Sequence, residues 1–215
     1  MQQLRGVAAA IAVASVSVAG VLAPRDVGAD QAPLPSRTTA FTLVTTDVPL
    51  PVVTGAATRI NDDKGRFGFA APTGWVRADA RRLTYGTTLL TNASKPNGEI
   101  LLGPLEQQLF AGFIPSYPDN RKAAIRLASD LGNFLLPYTG NRLNWDDQVF
   151  SANGLPAASA YYDMKFDDPQ REDGQIWAGV VGHDVNRFFI LWRGSASSPI
   201  DRAAAQALAE SIEPY

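Results

Sequence analysis

The chain has 215 residues, 46% of them hydrophobic and 19% charged, with a formal net charge of −2. That is ordinary globular composition with enough apolar material for one core, and the absence of any basic run excludes a nucleic-acid binder or a membrane-surface binder. There is no cysteine, which excludes thiol catalysis, cysteine zinc sites and redox chemistry.

The first segment has the order of a secretory leader. Arg5 precedes an uncharged stretch of apolar or small residues from Val7 to Leu22, and Val27-Gly28-Ala29 offers the small residues that signal peptidase reads. Residues 1–29 are therefore expected to be a signal peptide cleaved after Ala29, with Ala23 as a second candidate site. The apolar run is about 16 residues, short of the roughly 20 that span a bilayer, so no stable membrane insertion is expected after cleavage. Residues 30–58 carry Pro33, Pro35, Pro49 and Pro51 among threonines such as Thr38, Thr45 and Thr54. Proline removes backbone donors and favours extended chain, so this segment reads as a linker or tail, and its threonines are candidates for O-mannosylation.

The domain is expected from Arg59 to Tyr215. Phe67 and Phe69 alternate with Arg66 and Gly68 as a short strand, and Pro72 and Gly74 turn the chain before Trp75 and Val76. Leu83 to Leu90 suits a strand, Asn97-Gly98 marks a turn, and Ile100 to Leu102 form the next strand. A helix follows Pro118, capped by Asp119, with Ala124, Leu127, Ala128, Leu131 and Leu135 on one face and Pro137 and Gly140 beyond its end. Ala160 to Phe166 alternates as a half-buried strand. Ile176 to Val181 and Phe188 to Trp192 are apolar on both faces, as strands in the middle of a covered sheet are. Asp184 and Asn186 turn the chain between them. A last helix is expected from Pro199, with Ser198 as cap, Asp201 in the capping-box position, and Ile200, Ala204, Ala207, Leu208 and Ile212 as its buried stripe. The fold class is α+β, an antiparallel sheet with helices packed on its faces.

Several blocks in this domain, in this order, carry a family resemblance. They are Gly74-Trp75-Val76, Ser129-Asp130, Pro137-Tyr138, Ala152-Asn153-Gly154, Tyr161-Tyr162, Gly174-Gln175-Ile176-Trp177 and Ala207-Leu208-Ala209-Glu210-Ser211-Ile212. On these blocks the chain resembles the mycobacterial alanine-and-proline-rich secreted antigens, also called fibronectin-attachment proteins. The resemblance implies a sandwich of the PsbP and Mog1 type, a secreted, extracellular or cell-wall-associated location, and host fibronectin as partner. The Pro/Ala-rich arms of that family, which carry much of its mannosylation, are represented here by a short Thr-rich segment alone. The stretch the family uses for fibronectin contains Arg-Trp-Phe-Val, where this sequence has Arg187-Phe188-Phe189-Ile190.

Arg187, Phe188, Phe189, Ile190 and Arg193 are accordingly the candidate partner-binding residues. Arginine beside large aromatics is the composition of an interface hot spot, but it is equally that of a core strand. A strand buried on both faces cannot offer both phenylalanines, so Arg187 and Arg193 are the expected exposed contributors. His183, the one histidine, has no second histidine or cysteine for a triad or a zinc site and reads as a solvated turn residue. The acidic pairs Asp62-Asp63, Asp146-Asp147 and Asp167-Asp168 lack the spacing of a calcium loop. Ser195, Ser197 and Ser198 do not form a nucleophile elbow. No catalytic residue, cofactor or metal is expected. Two function classes remain: a fibronectin-binding adhesin, or a secreted envelope module for a small apolar ligand or another envelope protein. A large apolar pocket between sheet and helix would favour the second.

Overall fold

The structure, a computed structural model, describes residues 57–79, 83–105 and 116–215. The expected leader and nearly all of the expected linker lie outside the described residues. Ten strands and two helices are described: β1 (Thr58–Asp62), β2 (Phe67–Ala71), β3 (Val76–Arg77), β4 (Thr88–Thr91), β5 (Glu99–Pro104), α1 (Asn120–Leu135), β6 (Gly140–Ala152), β7 (Leu155–Phe166), β8 (Gly174–His183), β9 (Asn186–Ser195), α2 (Arg202–Glu210) and β10 (Glu213–Pro214).

Seven strands form an antiparallel sheet in the order β3-β4-β5-β9-β8-β7-β6, and β1-β2-β10 form a smaller one. Because side chains alternate across a strand, the large sheet builds two cores. One face packs Ala158, Ala160, Tyr162, Ile176, Val180, Phe189 and Leu191 under α1. The other packs Tyr161, Trp177, Val181, Phe188, Ile190 and Trp192 under the small sheet and α2. β8 and β9 are covered on both faces, as their unbroken apolar runs predict.

α1 matches its expected face: Ala124, Leu127, Ala128 and Leu131 are buried, joined by Ala123 and Gly132. Asp119 caps it by accepting from Lys122 N at 2.9 Å. Four expectations need correction. The strand placed at Leu83–Leu90 begins only at Thr88. Gly86 stands in the left-handed region at φ 77°, where a Cβ would lie 2.5 Å from the Leu102 carbonyl oxygen. β7 is half-buried only towards Asp163–Lys165; from Ala157 to Tyr162 both faces are covered. α2 starts at Arg202, not Pro199, and Asp201 itself is the cap, accepting from Ala204 N at 3.0 Å. The approach is held extended because Ile200 N donates to Gln175 Oε1 at 2.8 Å and Lys95 Nζ to the Pro199 carbonyl at 2.9 Å. Ser198 instead closes a tight turn on Ser195. The buried stripe of α2 is consequently Ala205, Leu208 and Ala209, with Ala207 exposed.

The fourth correction is β6, a strand of 13 residues that the sequence reading passed over. Asn153 (φ 49°) and Gly154 (φ 80°) form the two-residue turn that joins it to β7. Its register with β7 shifts between Leu143 and Asp146, where Asn144 has φ 51°. The shift reverses which face odd-numbered residues take, so no period-2 pattern survives in the sequence.

Candidate partner-binding surface

The stretch singled out by the sequence, Arg187 to Arg193, lies in β9 at the centre of the large sheet. Phe188 is 6% exposed, Phe189 and Ile190 are 0% exposed, and Arg187 is 1% exposed. The expectation that Arg187 reaches solvent is therefore corrected. Its guanidinium donates to the Tyr117 carbonyl at 2.8 Å and to Asn120 Oδ1 at 3.3 Å, which ties the start of α1 to β9. Asn120 extends the tie by donating to the carbonyls of Pro156 and Gly182, both at 2.8 Å. Arg193 is half-buried and lies 3.1 Å from Glu99 Oε1 on the neighbouring β5.

The other chemistry-bearing residues are tied into the fold. Asp62 is fully buried and accepts from Gly65 N at 2.9 Å and from the hydroxyls of Thr87 and Thr88. Asp146 and Asp147 project to opposite faces of β6, and each meets an arginine there: Arg202 of α2 for Asp146, Arg121 of α1 for Asp147. His183 is exposed, with Nδ1 3.0 Å from Asp184 Oδ2. Among the described residues no group of three or more His, Cys, Asp or Glu could hold a metal ion, and no helix is long and apolar enough to cross a membrane.

The exposed aromatic surface is on β6. Among the described residues β6 is one edge of the large sheet, so one row of its backbone groups has no neighbouring strand. Leu143 is 44% exposed, Trp145 41% and Val149 69%. Trp145 lies flat on Tyr162, with ring centroids 5.2 Å apart and planes at 6°. Tyr162 is fully buried and can approach α1 because residue 132 is glycine: a Cβ there would stand 1.8 Å from the phenol oxygen. Arg142 reaches over the same ring at 4.8 Å and donates to Ser129 Oγ at 2.8 Å and Asn133 Oδ1 at 2.6 Å.

The opposite face of β6 rests on a polar network. Tyr161 donates to Asp163, Asn144 Nδ2 donates to Asp163 Oδ2 at 2.6 Å, and Gln175 Nε2 lies 3.0 Å from both the Tyr161 and Asp163 oxygens. Burial works to raise the Asp163 pKa. The hydrogen bonds from Tyr161, Asn144 and Gln175, with the nearby Arg202 charge, outweigh it and hold the carboxyl below its ordinary range. Burial and the hydrogen bond to Asp163 hold the Tyr161 phenol well above its ordinary value. Both shifts mark a fixed structural network under the bulge.

Residues 59–215 match the family model for the fibronectin-attachment protein domain. The chain belongs to the fibronectin-attachment protein family. It is 41% identical over 180 residues to the alanine and proline-rich secreted protein Apa of Mycobacterium bovis, covering 73% of this chain and 54% of that one. To the Apa protein of Mycobacterium leprae it is 40% identical over 177 residues, covering 73% of this chain and 61% of that one. The chain thus spans only a little over half the length of these relatives. Its relatives are named as secreted proteins, and this member of the family is a secreted protein too. Among solved structures, the Ran-binding protein Mog1p of Saccharomyces cerevisiae aligns with a TM-score of 0.53 at 12% identity, over 74% of this chain and 95% of that one. PsbP from the cyanobacterium Synechocystis aligns with a TM-score of 0.49 at 14% identity, over 77% of this chain and 96% of that one. The chain's own sheets and helices, with the Mog1p alignment, give it the α+β sandwich fold expected for it.

Sequence reasoning missed β6 as the candidate surface. Two signals were present: Asn153-Gly154, a hairpin turn dipeptide, and Trp145 in an otherwise polar stretch.

Proposed function

We propose that this protein is an extracellular attachment protein, not an enzyme, that binds fibronectin with its folded domain and makes the contact along the β6 edge around Trp145. Family membership supports the partner, and the family's name for its domain is the reason fibronectin is considered. The observation that carries the surface is Trp145 itself: a tryptophan 41% exposed, yet fixed by stacking on a fully buried tyrosine. A rigid aromatic loses little conformational entropy on binding, and tryptophan and arginine are the residue types enriched in hot spots. An open strand edge beside it offers backbone donors and acceptors to an extended segment of the partner. β9 is the less suitable surface, because its aromatics would have to leave the core to touch anything.

Immobilised fibronectin is the test, with the whole secreted chain as analyte at two salt concentrations. Trp145→Ala is expected to weaken binding about tenfold or more, which is about 1.4 kcal/mol or above. A folded Trp145→Ala protein that binds as tightly as the parent sinks the β6 surface. Absence of saturable binding by the parent sinks the fibronectin reading itself.

A further inference from the structure

Side chains alternate along β7, and Ala157 and Tyr161 belong to the core under α2, so Ser159 between them faces the same way. Ser159 stands in register with Gln148 of β6 on one side and Gly179 of β8 on the other. Residue 179 has no side chain to cover the serine, and a Cβ there would lie 2.7 Å from the Trp177 ring. A cleft of about 290 Å³ is left beside α2, lined by Ser159 and Trp177, by Asp146 and Gln148 of β6, and by Arg202 and Gln206 of α2. Pockets for drug-sized ligands run from about 300 to 1,000 Å³, so this one has room for a single ring.

The polar groups of the cleft point to an occupant. Ser159 is 7% exposed, and its hydroxyl makes no hydrogen bond among the described residues. Its oxygen is not sealed from solvent, as the buried Ser198 Oγ is, so a molecule in the cleft can reach it. Buried hydroxyls are nearly always paired. The groups around this one accept. Gln148 Nε2 donates to Asp146 Oδ2 at 3.3 Å, and Gln206 Nε2 donates to Glu210 Oε1 at 2.8 Å. Carboxylates only accept, so both amides are oriented, and each keeps its oxygen as an acceptor. Arg202 also meets Asp146 at Oδ2, which leaves Oδ1 as a third acceptor. Three acceptors call for a ligand that donates. An anion would bring no donors and would meet Asp146. A cation would find the Asp146 charge already balanced by Arg202. A neutral ring with several hydroxyls can donate to all three, and can pair with Ser159, which both donates and accepts.

We infer that this cleft is a binding site for one neutral sugar ring. Ring hydroxyls donate to Asp146 Oδ1 and to the amide oxygens of Gln148 and Gln206, and one shares a hydrogen bond with Ser159 Oγ. The site lies on the other face of the sheet from the Trp145–Tyr162 stack and does not depend on the fibronectin reading.

Trp177 lines the cleft, so among the four tryptophans its indole N–H resonance is the local probe, assigned by Trp177→Phe. The whole chain, labelled with nitrogen-15, is titrated with the methyl glycosides of glucose, galactose, mannose and N-acetylglucosamine. Cyclohexanol, and the uronate and amino sugar corresponding to the best glycoside, are the comparison ligands. At least one glycoside is expected to move the Trp177 resonance saturably while Trp145 and Trp75 stay in place. The uronate and the amino sugar are expected to bind at least tenfold more weakly, and cyclohexanol not to saturate. Ser159→Ala and Gln206→Ala each remove one hydrogen bond to the ring and are expected to weaken the best glycoside about fivefold to tenfold. Ala203→Phe, at an exposed position of α2 that also lines the cleft, fills it and should abolish the shifts in a protein whose melting temperature is unchanged. The inference is overturned if no glycoside moves Trp177, or if any comparison ligand matches the best glycoside. It is equally overturned if Gln206→Ala binds as tightly as the parent, or if the shifts survive in Ala203→Phe.

Discussion

β9 and β6 carry similar residues to different ends. Each has an arginine near its start and a tryptophan further along, and each is long. β9 has strands on both sides and a core on both faces, so its aromatics hold the domain together. β6 has a strand on one side only, and its tryptophan, leucine and valine keep much of their surface in water. Residue composition is therefore not what distinguishes an exposed aromatic strand from a core strand; position in the sheet is. Burial of Tyr162 in the neighbouring β7 is what lets β6 present a fixed tryptophan.

Substitutions can break this comparison, and the largest effect is expected in β9. Ile190→Ala removes a fully buried side chain between β9 and the small sheet and should destabilise the domain by about 2–5 kcal/mol, read by denaturant unfolding. Its fibronectin binding should fall only as far as the folded fraction falls. Arg187→Ala should also lower the melting temperature, at about 2–3 kcal/mol, because it strips the Tyr117 carbonyl and Asn120 of a buried donor. An unchanged melting temperature in Arg187→Ala would mean the arginine is not the tie between α1 and β9. Trp145→Ala reverses the pattern: the lost stack on Tyr162 is worth about 0.5–1.5 kcal/mol of stability, while binding suffers more. Equal losses in both would erase the distinction between the strands.

Smaller effects sharpen the comparison. Asp163 sits under the β6 bulge with its pKa held below the ordinary carboxylate range. A depressed pKa contributes stability that is present above the unfolded value and is lost as pH falls through the folded value. Asp163→Asn should therefore lower stability most at neutral pH and least in acid, which flattens the acid limb of the stability profile; an unaltered limb would remove Asp163 from that role. Arg193→Ala breaks a partly exposed pair with Glu99 and should change stability by less than about 1 kcal/mol, with fibronectin binding intact. A loss of binding there would return the contact to the rim of β9.

Much of the fold was legible. Helix α1 with its Asp119 cap, and the doubly covered strands β8 and β9, follow from local periodicity and capping chemistry, which neighbouring residues decide among themselves. The start of α2 was misplaced because Ser198 and Asp201 are both good caps. The choice fell to Gln175 and Lys95, which hold Pro199–Ile200 extended from distant parts of the chain. β6 was illegible as a strand because the bulge at Asn144 breaks its alternation and an exposed edge needs few apolar residues.

By itself the sequence determined the α+β class, the family and the main apolar elements, since these rest on short-range patterns and on blocks of residues in order. Only the tertiary structure decided which of two aromatic strands is central and which is an edge. Strand order depends on pairing between segments far apart in the chain, and no local pattern reports it. The same pairing sets Trp192 beneath α2 and leaves Trp145 in the light of solvent, although the two residues are chemically the same.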